Sequence, residues 1–240
     1  MVVALILAGG FGKRLRPLTE TVPKPLLEVA GKPVIVYQLE WLKYYGVRDV
    51  VILAGYLKEK LIEALGSGSK FGVRITYVIE DQPLGTGGAI RNASHIIERE
   101  EVVIVTNGDV ITNIDPRRLI SVVQGNRAVA AIAAVPLRSP FGILELEDST
   151  VLGFREKPFL YDYWINAGVY AFKPEILSYL PERGDIEKTT FPQLAIERRL
   201  LAVKYETPPY YWRSIDTHKD LEEAGKEIGE MGGLLPPKAG

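Results

Sequence analysis

The sequence contains no cysteine, only two histidines, and no excess of charge of either sign. Without cysteine, disulfide bonds and cysteine-based zinc sites are excluded, and a bound metal has to be held mainly by oxygen, as Mg²⁺ is. The 29 Lys and Arg residues nearly cancel the 30 Asp and Glu residues, which gives a formal net charge of -1. This balance predicts no nucleic acid and no membrane as partners, so that an anionic ligand would be bound by a local basic cluster.

The sequence also lacks a long apolar run. Its first eight residues are apolar, but no basic segment precedes them and the run is too short for a signal peptide or a membrane span. We therefore expect a cytoplasmic protein, and the scarcity of Asn, Gln and Met favours a thermophilic source. We expect one domain over residues 1–230 and a flexible Gly/Pro-rich tail at residues 231–240, with no C-terminal β-helix.

Short apolar runs alternate with amphipathic stretches in the first half of the chain. Strands are predicted at residues 3–7, 50–53, 73–79 and 102–106, and helices at residues 34–45, 57–65, 87–97 and 115–123. This alternation is typical of a parallel sheet covered by helices on both faces. The sequence therefore predicts a Rossmann-like, three-layer α/β/α fold.

The second half has a different pattern. Strands predicted at residues 129–135, 143–146, 151–154 and 169–172 follow one another with little helix between them, which indicates an antiparallel insertion into a mostly parallel, mixed sheet. Helices are then predicted at residues 175–180, 191–199 and 219–230, and strands at residues 202–205 and 211–215.

A glycine-rich turn follows the first predicted strand and reads Leu7-Ala8-Gly9-Gly10-Phe11-Gly12-Lys13-Arg14. Backbone N–H groups in such a turn can bind phosphate, and Lys13, Arg14 and Arg16 add positive charge. The turn is not the dinucleotide motif G-x-G-x-x-G, because Leu15 replaces the third glycine, and it is not a P-loop, because Arg14 follows Gly12-Lys13. The alternative is a tight structural turn with solvated basic side chains.

The segments after this turn carry a family resemblance. Residues 15–19 read Leu-Arg-Pro-Leu-Thr, and residues 22–33 read Val-Pro-Lys-Pro-Leu-Leu-Glu-Val-Ala-Gly-Lys-Pro. With the glycine-rich turn, they resemble the opening L-A-G-G-x-G-x-R-L-x-P-L-T, P-K-P-L and G-K-P of the sugar-1-phosphate nucleotidyltransferases. The resemblance implies that Arg14 and Lys24 are catalytic residues that hold the phosphates of a nucleoside triphosphate, although Lys24 could also be a solvated loop lysine. It further implies nucleotide binding by Leu7, Ala8, Gly9, Gly10, Gly12, Lys13 and Arg14.

Residues 80–90, Glu-Asp-Gln-Pro-Leu-Gly-Thr-Gly-Gly-Ala-Ile, lie between the third predicted strand and a helix. In the family this segment surrounds the base, and its form here is most similar to that of the guanylyltransferase members. The resemblance implies base contacts from Glu80, Pro83, Gly85, Thr86 and Gly88. Guanine presents N1–H and N2–H₂ side by side and one carboxylate can accept both, so Glu80 is the candidate that reads the base, with Gln82 as the alternative.

Two aspartates are candidate ligands of Mg²⁺. Asp109 ends the fourth predicted strand, at the same edge of the sheet as the glycine-rich turn, although an Asx turn would have the same sequence. Many relatives carry W-x-D-x-G-T late in the chain, whereas this sequence has Ser214 at the position of that aspartate. Because side chains on a strand repeat every two residues, we expect Asp216 to point to the same side as Ser214 and to supply the second carboxylate. The alternative makes Asp216 the N-cap of the last helix.

Three later segments resemble the sugar-phosphate site of the family. They read Phe141-Gly142-Ile143, Phe154-Arg155-Glu156-Lys157-Pro158 and Asn166-Ala167-Gly168-Val169-Tyr170. The resemblance implies sugar-phosphate binding by Gly142, Glu156, Lys157 and Asn166 in the inserted part of the fold, with Lys157 as a third catalytic residue. If Glu156 and Lys157 lie on a strand, they point to opposite faces and do not pair with each other.

Together these features predict an enzyme that makes an NDP-sugar and pyrophosphate from an NTP and a sugar 1-phosphate, with Mg²⁺ as cofactor. GTP and mannose 1-phosphate, or a related sugar, are the favoured substrates. The alternative within the class is glucose 1-phosphate with dTTP, UTP or CTP. The W-x-x-x-D-T form of residues 212–217 resembles that of the cytidylyltransferase branch, which uses glucose 1-phosphate. A sugar-nucleotide sensor without activity, motivated by Ser214, is the alternative from another class, and self-association into a homo-oligomer is left open.

Overall fold

The computed structural model of the protein describes residues 2–234. Its strands are β1 (Val3–Ala8), β2 (Glu28–Val29), β3 (Lys32–Pro33), β4 (Asp49–Ala54), β5 (Arg74–Ile79), β6 (Val103–Asn107), β7 (Val110–Thr112), β8 (Ala130–Arg138), β9 (Ile143–Glu147), β10 (Thr150–Arg155), β11 (Phe159–Phe172), β12 (Leu200–Lys204) and β13 (Trp212–Ser214). Its helices are α1 (Val34–Tyr44), α2 (Lys58–Leu65), α3 (Gly85–Asn92), α4 (Ser94–Ile97), α5 (Arg117–Gln124), α6 (Thr190–Ile196) and α7 (His218–Glu230). Between residues 2 and 234, no helix is both long and apolar enough to cross a membrane.

A mixed sheet of seven strands forms the middle layer, in the order β12-β8-β11-β6-β1-β4-β5. Strand β1 pairs in parallel with β4 and β6, β4 with β5, and β8 with β12. Strand β11 is antiparallel to both of its neighbours, β6 and β8. The other six strands of the described sheet therefore run in one direction, and the mostly parallel mixed sheet predicted from the sequence is confirmed.

Helices cover both faces of this sheet. In β1, Ala4 and Ile6 pack in the core under α1, α2 and α5, whereas Val3 and Leu5 pack in a second core with α3, α4 and α6. These strand residues are buried on either side, because helices shield both faces of a parallel sheet. The predicted three-layer α/β/α fold is confirmed.

The second half of the chain contains the predicted antiparallel insertion, but several of its elements differ from the prediction. Strands β8 and β11 belong to the central sheet, and the separate antiparallel part consists of the β9–β10 hairpin. Strand β11 is also much longer than the predicted residues 169–172. Its register with β8 shifts twice, so its sequence shows no regular alternation from which the full strand could be predicted. The helix predicted at residues 175–180 is a short 3-10 helix at Pro174–Ser178. Of the predicted tail, residues 235–240 lie outside the described residues.

The carboxyl ends of β1, β4, β5 and β6 meet at one edge of the sheet, because these strands are parallel. A small antiparallel ladder brings the end of the chain to the same edge: β13 pairs with β7, and the Ile215 N–H donates to the Asp109 carbonyl at 2.8 Å. Ligands of open α/β sheets bind at this edge.

Candidate functional site

A cleft of about 420 Å³ opens at the carboxyl edge of the sheet. It is lined by Leu7, Ala8, Gly9, Gly10, Phe11, Gly12, Lys13, Arg14, Lys24, Pro25, Glu80, Pro83, Gly85, Thr86, Ala89, Asn107, Gly108, Asp109, Asp185 and Asp216. All residues predicted to bind the nucleotide or the metal therefore lie along one cleft, with the exception of Gly88. Gly88 is buried behind it, and its N–H donates to the Gly184 carbonyl at 3.3 Å.

The glycine-rich turn is held in place by Thr19. Gly12 has a φ of +58°, in the left-handed region that favours glycine. Its carbonyl accepts hydrogen bonds from the Leu15 N–H and the Thr19 hydroxyl, both at 2.9 Å. Thr19 is completely buried, so the Leu-Arg-Pro-Leu-Thr segment fixes the shape of the turn from beneath.

Four charged side chains meet at one end of the cleft. Lys24 Nζ lies 2.5 Å from Asp109 Oδ2 and 2.9 Å from Asp216 Oδ1, and Arg14 Nη2 lies 2.7 Å from the same Asp216 oxygen. Only 14% of the Lys24 side chain is exposed, so it is not a solvated loop lysine. Burial raises the pKa of Asp216, but the hydrogen bond and charge of Lys24, with contributions from Ser214 and Arg14, lower it overall.

The side chains of Ser214 and Asp216 are in contact, in agreement with the expectation that they lie on one side, although Asp216 lies two residues beyond the end of β13. The Ser214 hydroxyl donates to Asp216 Oδ2 at 2.9 Å. Asp216 is not the N-cap of the last helix, because Thr217 takes that position and forms a reciprocal capping box with Asp220. The carboxylate of Asp216 is therefore available to the cleft.

This cluster fits a divalent cation. The Asp109 Oδ1 atom is buried and has no hydrogen-bond partner among the described residues, while Asp109 and Asp216 face each other across the Lys24 ammonium. In residues 2–234, no group of three Asp, Glu or His side chains gathers at one point. Two carboxylates together with substrate phosphates and water are the ligands that Mg²⁺ typically takes.

Glu80 stands at the other end of the cleft, directly after β5. Its Oε2 accepts a hydrogen bond from the Leu84 N–H at 3.3 Å. Burial raises the pKa of Glu80, and the hydrogen bond from Leu84 offsets that shift only in part. A ligand that donates hydrogen bonds to this carboxylate would stabilise its ionised form.

The loop after Glu80 is tied to a distant part of the chain. Gly184 donates its N–H to the Leu84 carbonyl at 2.8 Å, and its own carbonyl accepts from the Gly87 N–H at 2.9 Å. The Thr86 hydroxyl donates to Glu187 at 2.8 Å. Gln82, the alternative reader of the base, is exposed, and its Oε1 accepts from Arg183 at 3.1 Å.

The four residues predicted to bind the sugar phosphate do not line this cleft. Gly142, Glu156 and Lys157 come together beside the β9–β10 hairpin, where Glu156 Oε2 lies 3.2 Å from the point that a Cβ on Gly142 would occupy. Asn166 lies apart from them on β11, and its amide donates to the buried Tyr170 hydroxyl at 3.0 Å.

The expected orientation of Glu156 and Lys157 is wrong. They lie in a bend between β10 and β11 rather than on a strand, and Lys157 has a φ of +44°. Their side chains therefore do not point to opposite faces: Lys157 Nζ lies 3.6 Å from Glu156 Oε1, and the two form an ion pair.

Sequence reasoning missed other residues of the cleft. Asn107 lines it, and its buried Oδ1 has no partner among the described residues. Its position in Asn107-Gly108-Asp109 was a usable signal. The buried Gln38 of α1 donates to the carbonyls of Asn107 and Val110, at 2.7 and 2.9 Å, and so holds the turn that presents Asp109. Asp185 also lines the cleft, and no local pattern marks it.

A network centred on Arg213 supports the segment that carries Asp216. Arg213 on β13 forms ion pairs with Asp220, Glu223 and Glu227 of α7, and 13% of its side chain is exposed. We expect Arg213→Met to lower the free energy of unfolding by about 2 kcal/mol, because three carboxylates lose a mostly buried partner. Urea denaturation measures this change. The exposed Arg74 pairs with Asp49, so Arg74→Met is the matched control and should cause no measurable change. Equal stability of both variants would contradict the prediction.

Comparison with known proteins places the chain in a family. The sequence profile described as nucleotidyl transferase matches residues 3–230. The mannose-1-phosphate guanyltransferase of Yarrowia lipolytica is 38% identical over 225 residues, which cover 90% of this chain and 61% of that protein. The mannose-1-phosphate guanylyltransferase 1 of Arabidopsis thaliana is 37% identical over 226 residues, which cover 90% and 62%. The chain thus spans about three fifths of the length of these curated relatives.

A solved structure has a similar overall fold. The crystal structure of HddC from Yersinia pseudotuberculosis complexed with GMP-PN aligns with a TM-score of 0.72 and 26% identity, covering 95% of this chain and 99% of that one. The family match spans nearly all the residues that build the two cores and the cleft, and the chain therefore belongs to the nucleotidyl transferase family.

Proposed function

We propose that the protein joins a nucleoside triphosphate and a sugar 1-phosphate into an NDP-sugar and releases pyrophosphate, with GTP and mannose 1-phosphate as substrates. The observation that carries this proposal is the cluster of Arg14, Lys24, Asp109 and Asp216 at the glycine-rich turn, in one cleft with Glu80. The similarity to mannose-1-phosphate guanylyltransferases over 90% of the chain supports the choice of substrates.

The reaction needs positioning and charge neutralisation more than proton transfer. An anionic oxygen of the sugar phosphate attacks the α-phosphorus, a P–O bond forms, and the bond from that phosphorus to the bridging oxygen of pyrophosphate breaks. No general base is required because the attacking oxygen already carries negative charge. The protein has to align the two anions and offset their repulsion.

Lys24 and Arg14 supply positive charge where the two phosphate groups meet. Lys24 lies between Pro23 and Pro25, which restrict its backbone, and its ammonium is held by two carboxylates. Arg14 is 70% exposed and bonded to one carboxylate oxygen, so it can turn towards a departing pyrophosphate. A divalent cation held by Asp109 and Asp216, for which we propose Mg²⁺, would supply further charge neutralisation at the phosphates when bound.

The guanine base and the sugar phosphate are assigned to residues whose side-chain chemistry suits them. Glu80 is proposed to accept hydrogen bonds from N1–H and N2–H₂ of guanine. Glu156 is proposed to accept hydrogen bonds from sugar hydroxyls, and Lys157 to bind the sugar phosphate. The ion pair between Glu156 and Lys157 would then be replaced by contacts with the substrate. Gly142 leaves room chiefly for the Phe154 ring, whose Cζ lies 2.5 Å from the position of an added Cβ, and that Cβ would also lie 3.2 Å from Glu156 Oε2.

A matrix of five NTPs against several sugar 1-phosphates, scored by pyrophosphate release, tests this proposal. We expect GTP with mannose 1-phosphate to give the highest kcat/KM. A different best pair would overturn the substrates and leave the chemistry standing. Release of no pyrophosphate from any pair, with a divalent cation present, would overturn the chemistry and favour a sugar-nucleotide sensor.

A further inference from the structure

The carboxylate of Glu80 lies over two glycines that follow neighbouring strands. Gly9 comes directly after β1, and Gly55 directly after β4. A Cβ on Gly55 would lie 2.6 Å from Oε1 and 2.8 Å from Cγ of Glu80, and a Cβ on Gly9 would collide with the same Oε1. The Glu80 side chain therefore fills space that only glycine leaves free at these two positions.

The backbone gives no other reason for glycine at position 55. Its φ lies outside the left-handed region, in contrast to that of Gly12, so other residues could adopt its conformation. The next residue, Tyr56, donates its N–H to the Gly9 carbonyl at 3.3 Å and so joins the two glycine segments. Gly55 is thus required for space, and the group that uses this space is Glu80.

Both oxygens of the Glu80 carboxylate are held in place by neighbouring groups. The Leu84 N–H holds Oε2, while Oε1 rests against the two glycines. Glu80 borders both the main cleft and a smaller one of about 290 Å³ beside it, which Gly55 and Tyr56 also line. A side chain at position 55 would push the carboxylate away from the strand ends and out of this position.

We propose that Gly55 is a positioning residue for base specificity: it leaves the room in which Glu80 is aligned with the N1–H and N2–H₂ groups of guanine. This inference rests on the proposed function, in which Glu80 reads the base. The role of Gly55, at the end of β4, would be separate from phosphate binding, because Gly55 lies against the Glu80 carboxylate and does not line the main cleft.

The test compares binding of GTP and of ITP, which lacks the 2-amino group of guanine but has the same triphosphate. Calorimetry would give both affinities for the wild type, Gly55→Ala, Glu80→Ala and the double variant. We expect the wild type to bind GTP about 10- to 100-fold more tightly than ITP, because a hydrogen bond to a charged group is lost with ITP. In Gly55→Ala the ratio should fall to within about threefold of one, as in Glu80→Ala.

The double variant separates the collision from a general loss of folding. Without the Glu80 carboxylate, alanine at position 55 has nothing to displace, so the double variant should be soluble and bind both nucleotides as Glu80→Ala does. Gly229→Ala is the matched control, because Gly229 lies in α7 with no atom near the added Cβ.

Three outcomes would overturn the inference, and they are distinguishable. If Glu80→Ala loses the preference for GTP and Gly55→Ala keeps it, the role of Gly55 is refuted while the proposed function stands. If Glu80→Ala keeps the preference, or the wild type shows none, the assignment of the base to Glu80 fails as well, although turnover in the substrate matrix is untouched. If Gly55→Ala or the double variant fails to fold, Gly55 serves the structure rather than specificity.

Discussion

Replacing Asp109 with asparagine should lower kcat by about three orders of magnitude, because the change removes a negative charge from a two-carboxylate cation site and keeps its size. The buried Oδ1 of Asp109, which has no partner among the described residues, is the atom that we expect to lose its ligand. Steady-state assays of pyrophosphate release over a titration of Mg²⁺ measure kcat and the concentration of cation that gives half-maximal rate.

The matched control is Asp49→Asn. Asp49 begins β4 at the opposite edge of the sheet and forms an exposed ion pair with Arg74. The Asp49→Asn variant should have unchanged kcat and unchanged Mg²⁺ dependence. Binding of Mn²⁺ in the presence of GTP, followed by electron paramagnetic resonance, should weaken in Asp109→Asn and not in Asp49→Asn. Activity of Asp109→Asn within tenfold of the wild type would place the cation elsewhere.

The first half of the chain was predictable because its signals are local. The βα alternation located the strands, whereas the residues that now line the cleft were implied by the family resemblance of the glycine-rich turn, the Pro-Lys-Pro segment and residues 80–90. The hydrogen bond between Ser214 and Asp216 agrees with the expectation that both side chains lie on one side, although Asp216 lies beyond the end of β13. The contact of Asp216 with Lys24 was not readable in the same way. It depends on the pairing of β7 with β13, two strands of three residues that lie about 100 positions apart.

The residues that sequence reasoning misplaced or missed depend on backbone conformation or on distant contacts. Lys157 has a φ in the left-handed region, which few residues with a side chain adopt. The strand therefore ends before Glu156 and Lys157, and the alternation along a strand does not orient these two side chains. Asp185 reaches the cleft because the backbone of Gly184 pairs with the loop at Leu84. Gly55 carries no motif, and its contact with Glu80 follows only from the adjacency of β4 and β5.

Lys24→Met is expected to have two opposite effects. Turnover should fall by about 100-fold, because the methionine side chain has a similar length and no charge to offer the phosphates. Cation binding without nucleotide should become tighter, because the Lys24 ammonium now lies between Asp109 and Asp216 at 2.5 and 2.9 Å and competes for their oxygens. Pyrophosphate release measures the first effect, and Mn²⁺ titration of the free protein measures the second.

Lys32→Met controls for the loss of a lysine charge. Lys32 is bonded to Glu40 at 2.7 Å on the surface and should change neither quantity. If Lys24→Met lost turnover and bound Mn²⁺ no better than the wild type, the ammonium would act on the phosphates without competing for the cation site. If turnover were retained, Lys24 would serve only to neutralise the two aspartates, and the charge offered to the phosphates would have to come from Arg14 and the cation.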